Sequence, residues 1–261
     1  MTTPTVGIFG LTGCAGDQLV ILNCEEELLD LVGLLDIRDF AMAGSDNDQS
    51  CPLDLALVEG AVLSSQDEAT LRAIRRRTET LVAIGTCAVW GGVPTIDRQF
   101  DRAALVADVY GRTGVHFDTA PARALHDVVD VEYNIPGCPI EKHELLSALA
   151  SLLHGDPPLL PQCPVCAECT MRECACVLTV EGRTCLGPVT AAGCNARCPA
   201  LGLPCIGCRG PASDVNVESA RRLFQARGTD AQLIAQRLAT FAPTGGALSP
   251  KGEHHAHDDP H

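Results

Sequence analysis

The sequence predicts an α/β protein in which a flavodoxin-like, doubly wound parallel sheet is followed by a cysteine-rich domain and C-terminal helices. Two observations support this fold class. Short apolar or β-branched runs alternate with helical patterns as far as about residue 155, and ten of the 15 cysteines then crowd between Cys163 and Cys208. Strands separated by helices of this length form βαβ units, which give a parallel sheet with helices on both faces.

The elements of the first domain follow one another as strand, helix and strand. The strand-like segments are TVGIFG, LDLALVEGAV, TLVAIGTCAV and DVVDVEYNIPGCP, and the helical segments are CEEELLDLVGLL, DEATLRAIRRRT and EKHELLSALASLL. We predict a first domain at residues 1–155, a cysteine-rich domain at 156–212, amphipathic helices at 213–242 and a disordered tail at 243–261. The cysteine-rich domain shows little hydrophobic periodicity, so we expect it to fold around metal instead of an apolar core.

Composition and charge exclude several classes of function. The formal net charge of −14 disfavours nucleic acid as a partner, because phosphate binding needs a basic face. The N-terminal stretch MTTPTVGIFGLTGCAG carries no export signal, and no apolar run approaches the length of a membrane span. We therefore expect a cytoplasmic chain without direct membrane insertion, in which thiols stay reduced and clustered cysteines bind metal.

Three isolated cysteines each follow a predicted strand. Cys14 comes after TVGIFG, Cys87 after TLVAIGT, and Cys138 lies in PGCP after VDVEYNI. Ligands of open α/β sheets bind at the carboxyl ends of the strands, so the three thiols are expected to form three corners of one site. Asp17 is the nearest candidate for a fourth corner, although its ordinary role would be to cap a helix N-terminus. The alternative for the thiols is that they are small buried hydrophobic residues.

The cysteine-rich segment has more specific spacing. C-x-x-C and C-x-x-x-C steps occur at Cys163, Cys166, Cys169, Cys194, Cys198, Cys205 and Cys208, and a proline follows Cys198. Such thiolate runs are typical of iron–sulfur ligands, and zinc ribbons use similar pairs. Iron–sulfur clusters are favoured because the thiols outnumber the ligands of one or two structural zinc sites.

Several motifs together resemble a known family. They are LTGCAGDQLVILNCEEELLDL, LALVEGAV, AIGTCAVWGG, IPGCPI, CAEC, CLGPVTAAGCNARCP and PCIGCRGP. With these motifs the chain resembles the small subunits of cytoplasmic nickel–iron hydrogenases, of the sulfhydrogenase delta and deazaflavin-reducing hydrogenase gamma type. Those subunits are related to the 20-kDa subunit of NADH:ubiquinone oxidoreductase.

The resemblance implies three 4Fe–4S clusters, one in the first domain and two in a ferredoxin-like iron–sulfur domain. Carried over by position, the ligands of the proximal cluster are Cys14, Cys87 and Cys138, and Asp17 stands where the family usually has a further cysteine. The ligands of the other two clusters are Cys166, Cys169, Cys176, Cys185, Cys194, Cys198, Cys205 and Cys208. Eleven thiolates and one carboxylate are enough for three clusters with four ligands each. Cys163 and Cys174 are rivals of these ligands, with Cys174 the nearer rival of Cys176, and the division of the eight thiols between two clusters stays open.

The resemblance also implies a function. The chain is expected to carry electrons between the nickel–iron centre of a large-subunit partner and a flavin-bearing subunit that reduces NAD(P) or a deazaflavin. It contributes no catalytic residue, and its sequence contains no glycine-rich dinucleotide fingerprint. Two alternatives are an electron-transfer subunit of a quinone-linked, complex I-like oxidoreductase and a zinc-binding scaffold without redox activity.

Overall fold

Five parallel strands form one sheet in the computed structural model, which describes residues 3–24, 35–45, 47–111 and 118–242. The strands are β1 (Thr5–Gly10), β2 (Asp36–Asp39), β3 (Leu53–Glu59), β4 (Thr78–Ile84) and β5 (Tyr133–Ile135). They lie in the order β2-β1-β3-β4-β5, and every neighbouring pair is parallel. This is the flavodoxin-like order, and it confirms the predicted doubly wound sheet.

The helices follow the strands along the chain. In the first part they are α1 (Gly16–Leu22), α2 (Ser65–Arg76), α3 (Gly85–Trp90), α4 (Arg102–Tyr110) and α5 (Lys142–Leu153), with 3-10 turns at Val93–Gln99 and Leu125–Asp127. The cysteine-rich part contains α6 (Val165–Met171), a 3-10 turn at Gly187–Val189 and α7 (Arg197–Ala200). Two further helices, α8 (Val217–Ala226) and α9 (Ala231–Ala239), complete the described chain.

Both faces of the sheet are covered by helices. Leu55 and Leu57 of β3 pack on one face with α1 and α5, whereas the alternate residues Ala56 and Val58 pack on the other face with α2 and α3. Strands buried on both faces read as continuous apolar runs, which explains why β3 and β4 were recognisable in the sequence. Because α1 follows β1 and α3 follows β4, both begin at the carboxyl edge of the sheet.

The cysteine-rich segment shares one apolar cluster with α8 and α9. Val177 and Leu186 pack there with Phe224 and Leu238, and Phe224 is fully buried. The expectation that this segment lacks an apolar core was therefore wrong. Its buried residues lie on turns and short helices, so they show no periodicity in the sequence. The predicted domain boundaries at residues 155 and 212 stay predictions.

Some elements were not predicted, and some predictions lie outside the described residues. The elements that were missed are β2, α1, α3, α4, α6 and α7. The predicted helix at 24–35 falls largely on residues that are not described, and the predicted disordered tail at 243–261 falls there entirely. Among the described residues, none of the helices combines the length and the apolar character needed to cross a membrane.

Candidate metal centres

The carboxyl edge of the sheet carries the first group of predicted ligands. Cys14 follows β1, Cys87 lies in α3 directly after β4, and Cys138 follows β5. Cys138, Asp17 and Cys14 all act electrostatically on the Cys87 thiol, so the four side chains are close neighbours. We call Cys14, Asp17, Cys87 and Cys138 the proximal group. Desolvation, reinforced by the neighbouring negative groups, raises the pKa of Cys87 to about 12 and also raises that of Cys138.

Two glycines lie directly beside these thiols. A methyl group in place of the Gly92 hydrogen would lie 2.8 Å from the Cys87 sulfur, and one at Gly16 would lie 3.2 Å from the Cys14 sulfur. Gly92 also has φ +58, a left-handed conformation that favours glycine. A side chain at either position would therefore crowd the neighbouring thiol.

Asp17 is buried, and its carboxylate is held by the segment after Cys138. Its Oδ1 accepts a hydrogen bond of 2.8 Å from the backbone N–H of Ile140. Its Oδ2 lies over Gly85, where an added Cβ would approach it to 1.8 Å. Burial raises the pKa of Asp17 to about 6, the Ile140 N–H lowers it, and the nearby Glu59 raises it. The helix-capping alternative was wrong, because the residue that caps α1 is Ala15, without a side-chain hydrogen bond.

Glu59, at the end of β3, fastens the N-terminus of α1 to the sheet. Its Oε2 accepts hydrogen bonds from the backbone N–H groups of Asp17 and Gln18, at 3.0 and 3.1 Å. Its Oε1 accepts a bond of 2.9 Å from the Gln18 side chain. A carboxylate at a helix N-terminus is electrostatically favourable. Glu59 thus fixes the turn that carries Cys14 and Asp17.

A second set of four predicted ligands lines one small pocket in the cysteine-rich part. These thiols, which we call the distal group, belong to Cys166, Cys169, Cys176 and Cys185. A methyl group at Gly187 would enter this pocket, 3.4 and 3.5 Å from the sulfurs of Cys166 and Cys185. Desolvation raises the pKa of Cys166 to about 11 and also raises that of Cys169. The Thr179 hydroxyl, by hydrogen bonding, lowers the pKa of Cys176.

The four remaining predicted ligands form a third set, which we call the medial group: Cys194, Cys198, Cys205 and Cys208. Cys194 and Cys198 both act electrostatically on Cys208. Cys205 is affected by Cys185 of the distal group and, less strongly, by Cys208. Burial raises the pKa of Cys205 to about 12 and that of Cys208 to about 11. Desolvation also raises the pKa of Cys194. Buried thiols of this kind keep their protons until a cation replaces them.

The medial group touches both of its neighbours. Cys138 of the proximal group acts electrostatically on Cys208. On the other side, the backbone N–H of Cys205 donates a hydrogen bond of 3.1 Å to the sulfur of Cys185 in the distal group. The three groups therefore follow one another in the order proximal, medial and distal.

Helix α6 carries two thiols of the distal group and also shapes a loop of the medial group. Glu168 accepts hydrogen bonds from the backbone N–H groups of Gly193 and Ala196, at 2.8 and 3.0 Å. Arg172 donates a bond of 2.7 Å to the carbonyl of Asn195. Asn195 and Ala196 have φ values of +54 and +45, which are uncommon outside glycine. The α6 side chains thus hold a loop with an unfavourable backbone conformation next to Cys194.

Four cysteines stand outside the three groups. Cys24 is buried in the core of the first part, Cys51 is half-buried and Cys163 is exposed. Cys174 lies beside Cys169, on whose thiol it acts. It does not line the pocket of the distal group, whereas Cys176 does. Within the described ranges, no three His, Cys, Asp or Glu side chains come together closely enough to hold a single metal ion.

Sequence reasoning missed the residues that support these groups, namely Thr86, Glu144, Glu168 and Arg209. Glu168 lies inside the CAEC motif and Arg209 directly follows Cys208, so their closeness in sequence to predicted ligands could have marked them as supporting residues. Thr86 and Glu144 make their contacts with residues more than 50 positions away, and no local pattern marks them.

Comparisons with known proteins agree with this arrangement. The family described as NADH ubiquinone oxidoreductase, 20 Kd subunit, matches residues 14–152. The chain is 40% identical to sulfhydrogenase 2 subunit delta of Pyrococcus furiosus over 91% of this chain and 98% of that protein. It is 25% identical to the iron-sulfur subunit of the F420-non-reducing hydrogenase of Archaeoglobus profundus, over 76% of this chain and 79% of that one.

The same relationship is seen among solved structures. A chain of an NAD+-reducing [NiFe]-hydrogenase in the H2-reduced state superposes with a TM-score of 0.54 and 26% identity, covering 61% of this chain and 96% of that chain. The chain therefore belongs to the family of the 20-kDa subunit of NADH:ubiquinone oxidoreductase, in the branch formed by the small subunits of nickel–iron hydrogenases.

Proposed function

We propose that this chain is the electron-transfer subunit of a nickel–iron hydrogenase and holds three 4Fe–4S clusters, one in each of the proximal, medial and distal groups. The observation that carries the proposal is the grouping of the twelve candidate ligands. Electrostatic contacts and a shared pocket favour three sets of four, although the members of each set come from separate loops. Each set contains the thiolates that 4Fe–4S clusters use, and the proximal set adds one carboxylate.

The chemistry of each group fits a cluster. The distal thiols surround a common pocket that Gly187 also lines, and glycines keep side chains away from the sulfurs of Cys14 and Cys87. In the proximal group we propose Asp17 as the fourth ligand, because its carboxylate lies with the three thiols and its position is where the family usually has a cysteine. Carboxylate oxygen is a harder ligand than thiolate, so its bond to iron should exchange more easily.

The order of the groups suits a path for electrons through the chain. When bound, such clusters would each accept and release single electrons. Cys14 and Cys138 are exposed at one end of the series, and Cys166 and Cys176 are exposed at the other. The medial thiols between them are buried or half-buried. Both ends therefore face positions that a partner subunit can cover.

Two partner subunits follow from this arrangement. The proximal end would face the large subunit that holds the nickel–iron centre, which is the partner implied by the family. The distal end would face a flavin-bearing subunit that reduces NAD(P) or a deazaflavin. The chain's own residues hold the clusters in place, and the reactions with dihydrogen and with the final acceptor belong to these partners.

The complex I-like alternative is less well supported. The match to the 20-kDa subunit family ends at residue 152, before the medial and distal groups begin. The sulfhydrogenase subunit, in contrast, aligns over 91% of this chain. A subunit that carries electrons between two partners would need the clusters of these two further groups.

Anaerobic purification of the chain from its own cells tests this function. We expect a nickel-containing partner to co-purify, and we expect reduction under H2 to produce electron paramagnetic resonance (EPR) signals from reduced clusters. Replacing Cys208, as Cys208→Ser, should remove one of these signals, whereas Cys163→Ser should leave all of them. A colourless chain that carries zinc, or a chain bound to a quinone-linked membrane complex, would contradict the proposal.

A further inference from the structure

A buried ion pair lies beside the medial group. The side chains of Arg209 and Glu144 are only 2% and 5% exposed. Nη2 of Arg209 donates to both carboxylate oxygens of Glu144, at 2.6 and 2.8 Å. Nε of Arg209 donates to the carbonyl of Ala192 at 2.8 Å. The third nitrogen, Nη1, is buried and has no hydrogen-bond partner among the described residues.

The pair lies next to the loops that carry two proposed ligands. Arg209 directly follows Cys208, and the pair packs against Gly193, which directly precedes Cys194. An added Cβ at Gly193 would lie 1.9 Å from Oε1 of Glu144 and 2.3 Å from Nη2 of Arg209. Only glycine permits this approach, and its φ of +119 is also a conformation that other residues rarely adopt. The ion pair is therefore built into the loops that carry Cys194 and Cys208.

Stability alone does not explain such a pair. Removing two charges from water costs free energy that their attraction often fails to offset, and well-packed apolar residues would frequently do as well. The unpartnered Nη1 adds to this cost because a buried N–H without an acceptor loses its hydration. We therefore ask which groups the buried charge of Arg209 affects.

The nearby groups are the medial thiols. The positive charge of Arg209 acts on the thiols of both Cys194 and Cys208 and favours their negative forms. Arg209 is the cation that acts on both thiols, and Glu144 is the anion paired with it. The opposing charge at this group is Glu168, whose Oε2 lies 4.0 Å from the Cys194 sulfur. In a desolvated site these effects are weakly screened.

We infer that Arg209 sets the electron affinity of the medial group: its buried guanidinium raises the reduction potential of the cluster held there, and Glu144 limits that increase. Net charge and hydrogen bonding around a cluster are among the factors that fix its potential. This inference rests on the proposed function. It gives the buried pair a role in setting how readily the medial group accepts an electron.

EPR-monitored redox titration of the complete complex tests the inference. The medial signal is identified by its loss in Cys194→Ser. We expect Arg209→Gln to lower the midpoint potential of this signal and Glu144→Gln to raise it, while Arg209→Lys, which keeps the charge, stays near the parent. The signals of the proximal and distal groups should keep their potentials. Midpoint potentials that shift in opposite directions in these two variants indicate an effect of charge. Structural damage from breaking the pair would shift the potential in the same direction in both.

The chain offers a matched control. Arg197 directly precedes Cys198 and pairs with Glu141 at 2.6 Å, but its side chain is 64% exposed. Water should screen this charge, so Arg197→Gln is expected to shift the medial potential much less than Arg209→Gln. Shifts of the same sign in Arg209→Gln and Glu144→Gln, or shifts no larger than that of Arg197→Gln, would overturn the inference.

Iron content separates this inference from the proposed function. If Arg209→Gln loses iron, its medial potential cannot be measured. The Glu144→Gln variant then tests the inference, because it retains the Arg209 guanidinium. A raised medial potential in that variant supports the inference, and an unchanged potential overturns it. A parent complex without cluster signals would instead contradict the proposed function itself.

Discussion

The hydroxyl of Thr86 donates a hydrogen bond to the backbone carbonyl of Cys208. The same hydroxyl accepts a bond of 3.2 Å from the backbone N–H of Gly137. Because Thr86 precedes Cys87 and Gly137 precedes Cys138, one buried side chain connects segments that carry three proposed ligands. The proximal and medial groups are thus joined through a single side chain.

Replacing Thr86 by valine should weaken this junction. Thr86→Val keeps the shape of the side chain but leaves the carbonyl of Cys208 and the N–H of Gly137 without their partner. We expect the free energy of unfolding to fall by about 2 kcal/mol, since each unsatisfied buried polar group costs roughly 1–3 kcal/mol and part of this is regained by relaxation. Denaturant unfolding measures the loss, and Thr86→Ser, which keeps the hydroxyl, serves as control. Equal stability of the valine and serine variants would show that the junction contributes nothing.

Glu168 should be needed for the medial loop. Glu168→Ala removes the acceptor of the N–H groups of Gly193 and Ala196, so we expect a loss of about 1–3 kcal/mol in unfolding free energy. We also expect the iron content of the chain to fall by about one third, because the medial group is one of three proposed 4Fe–4S sites. Glu181→Ala, which removes an exposed carboxylate that pairs with Arg183, is the control. Full iron content in Glu168→Ala would contradict the role of this loop.

Gly187 should be required for a cluster but not for the fold. Its added methyl group would lie at ordinary contact distance from the sulfurs of Cys166 and Cys185 and would occupy the space between them. We therefore expect Gly187→Ala to lose the distal cluster, while the metal-free chain changes in stability by less than about 1 kcal/mol. Iron analysis and unfolding of the metal-free chain measure the two effects. Gly44→Ala, at a position with open space around it, is the control and should keep full iron content.

Asp17 should affect the potential of the proximal group. If Asp17 is a ligand, Asp17→Cys replaces a hard carboxylate oxygen by a softer thiolate and leaves a cluster bound with a shifted potential. Asp17→Asn, whose amide is a poorer ligand, should bind that cluster less tightly. Redox-titrated EPR measures both variants. Asp17 is not a ligand if the titration of Asp17→Cys overlays that of the parent.

The sheet was predictable from the sequence because its central strands are buried on both faces. β3 and β4 form long apolar runs, and these runs gave the parallel sheet and the strand end after which Cys87 lies. β2 was missed because its four residues, DIRD, are mostly charged and pair only with β1 at the edge of the sheet. Helix α3 was missed because it begins directly after β4 and its apolar residues looked like a continuation of that strand.

The support of the metal groups was not predictable for a different reason. The spacing of the cysteines in turns does not tell which loops meet in space, so the division into medial and distal groups needed the structure. The pair of Arg209 and Glu144 joins residues 65 positions apart, and no local pattern links the two. The placement of Cys14, Cys87 and Cys138 at one edge followed from strand ends, whereas their role as ligands stays a prediction.

The content of iron and acid-labile sulfide in the anaerobically purified chain tests the central claim most directly. Three 4Fe–4S clusters predict about twelve iron and about twelve sulfide atoms per polypeptide. The Cys24→Ser variant, which alters a buried thiol outside the three groups, should keep these values. Zinc without sulfide, or iron and sulfide far below these values after anaerobic reconstitution, would contradict the claim that these side chains hold three clusters.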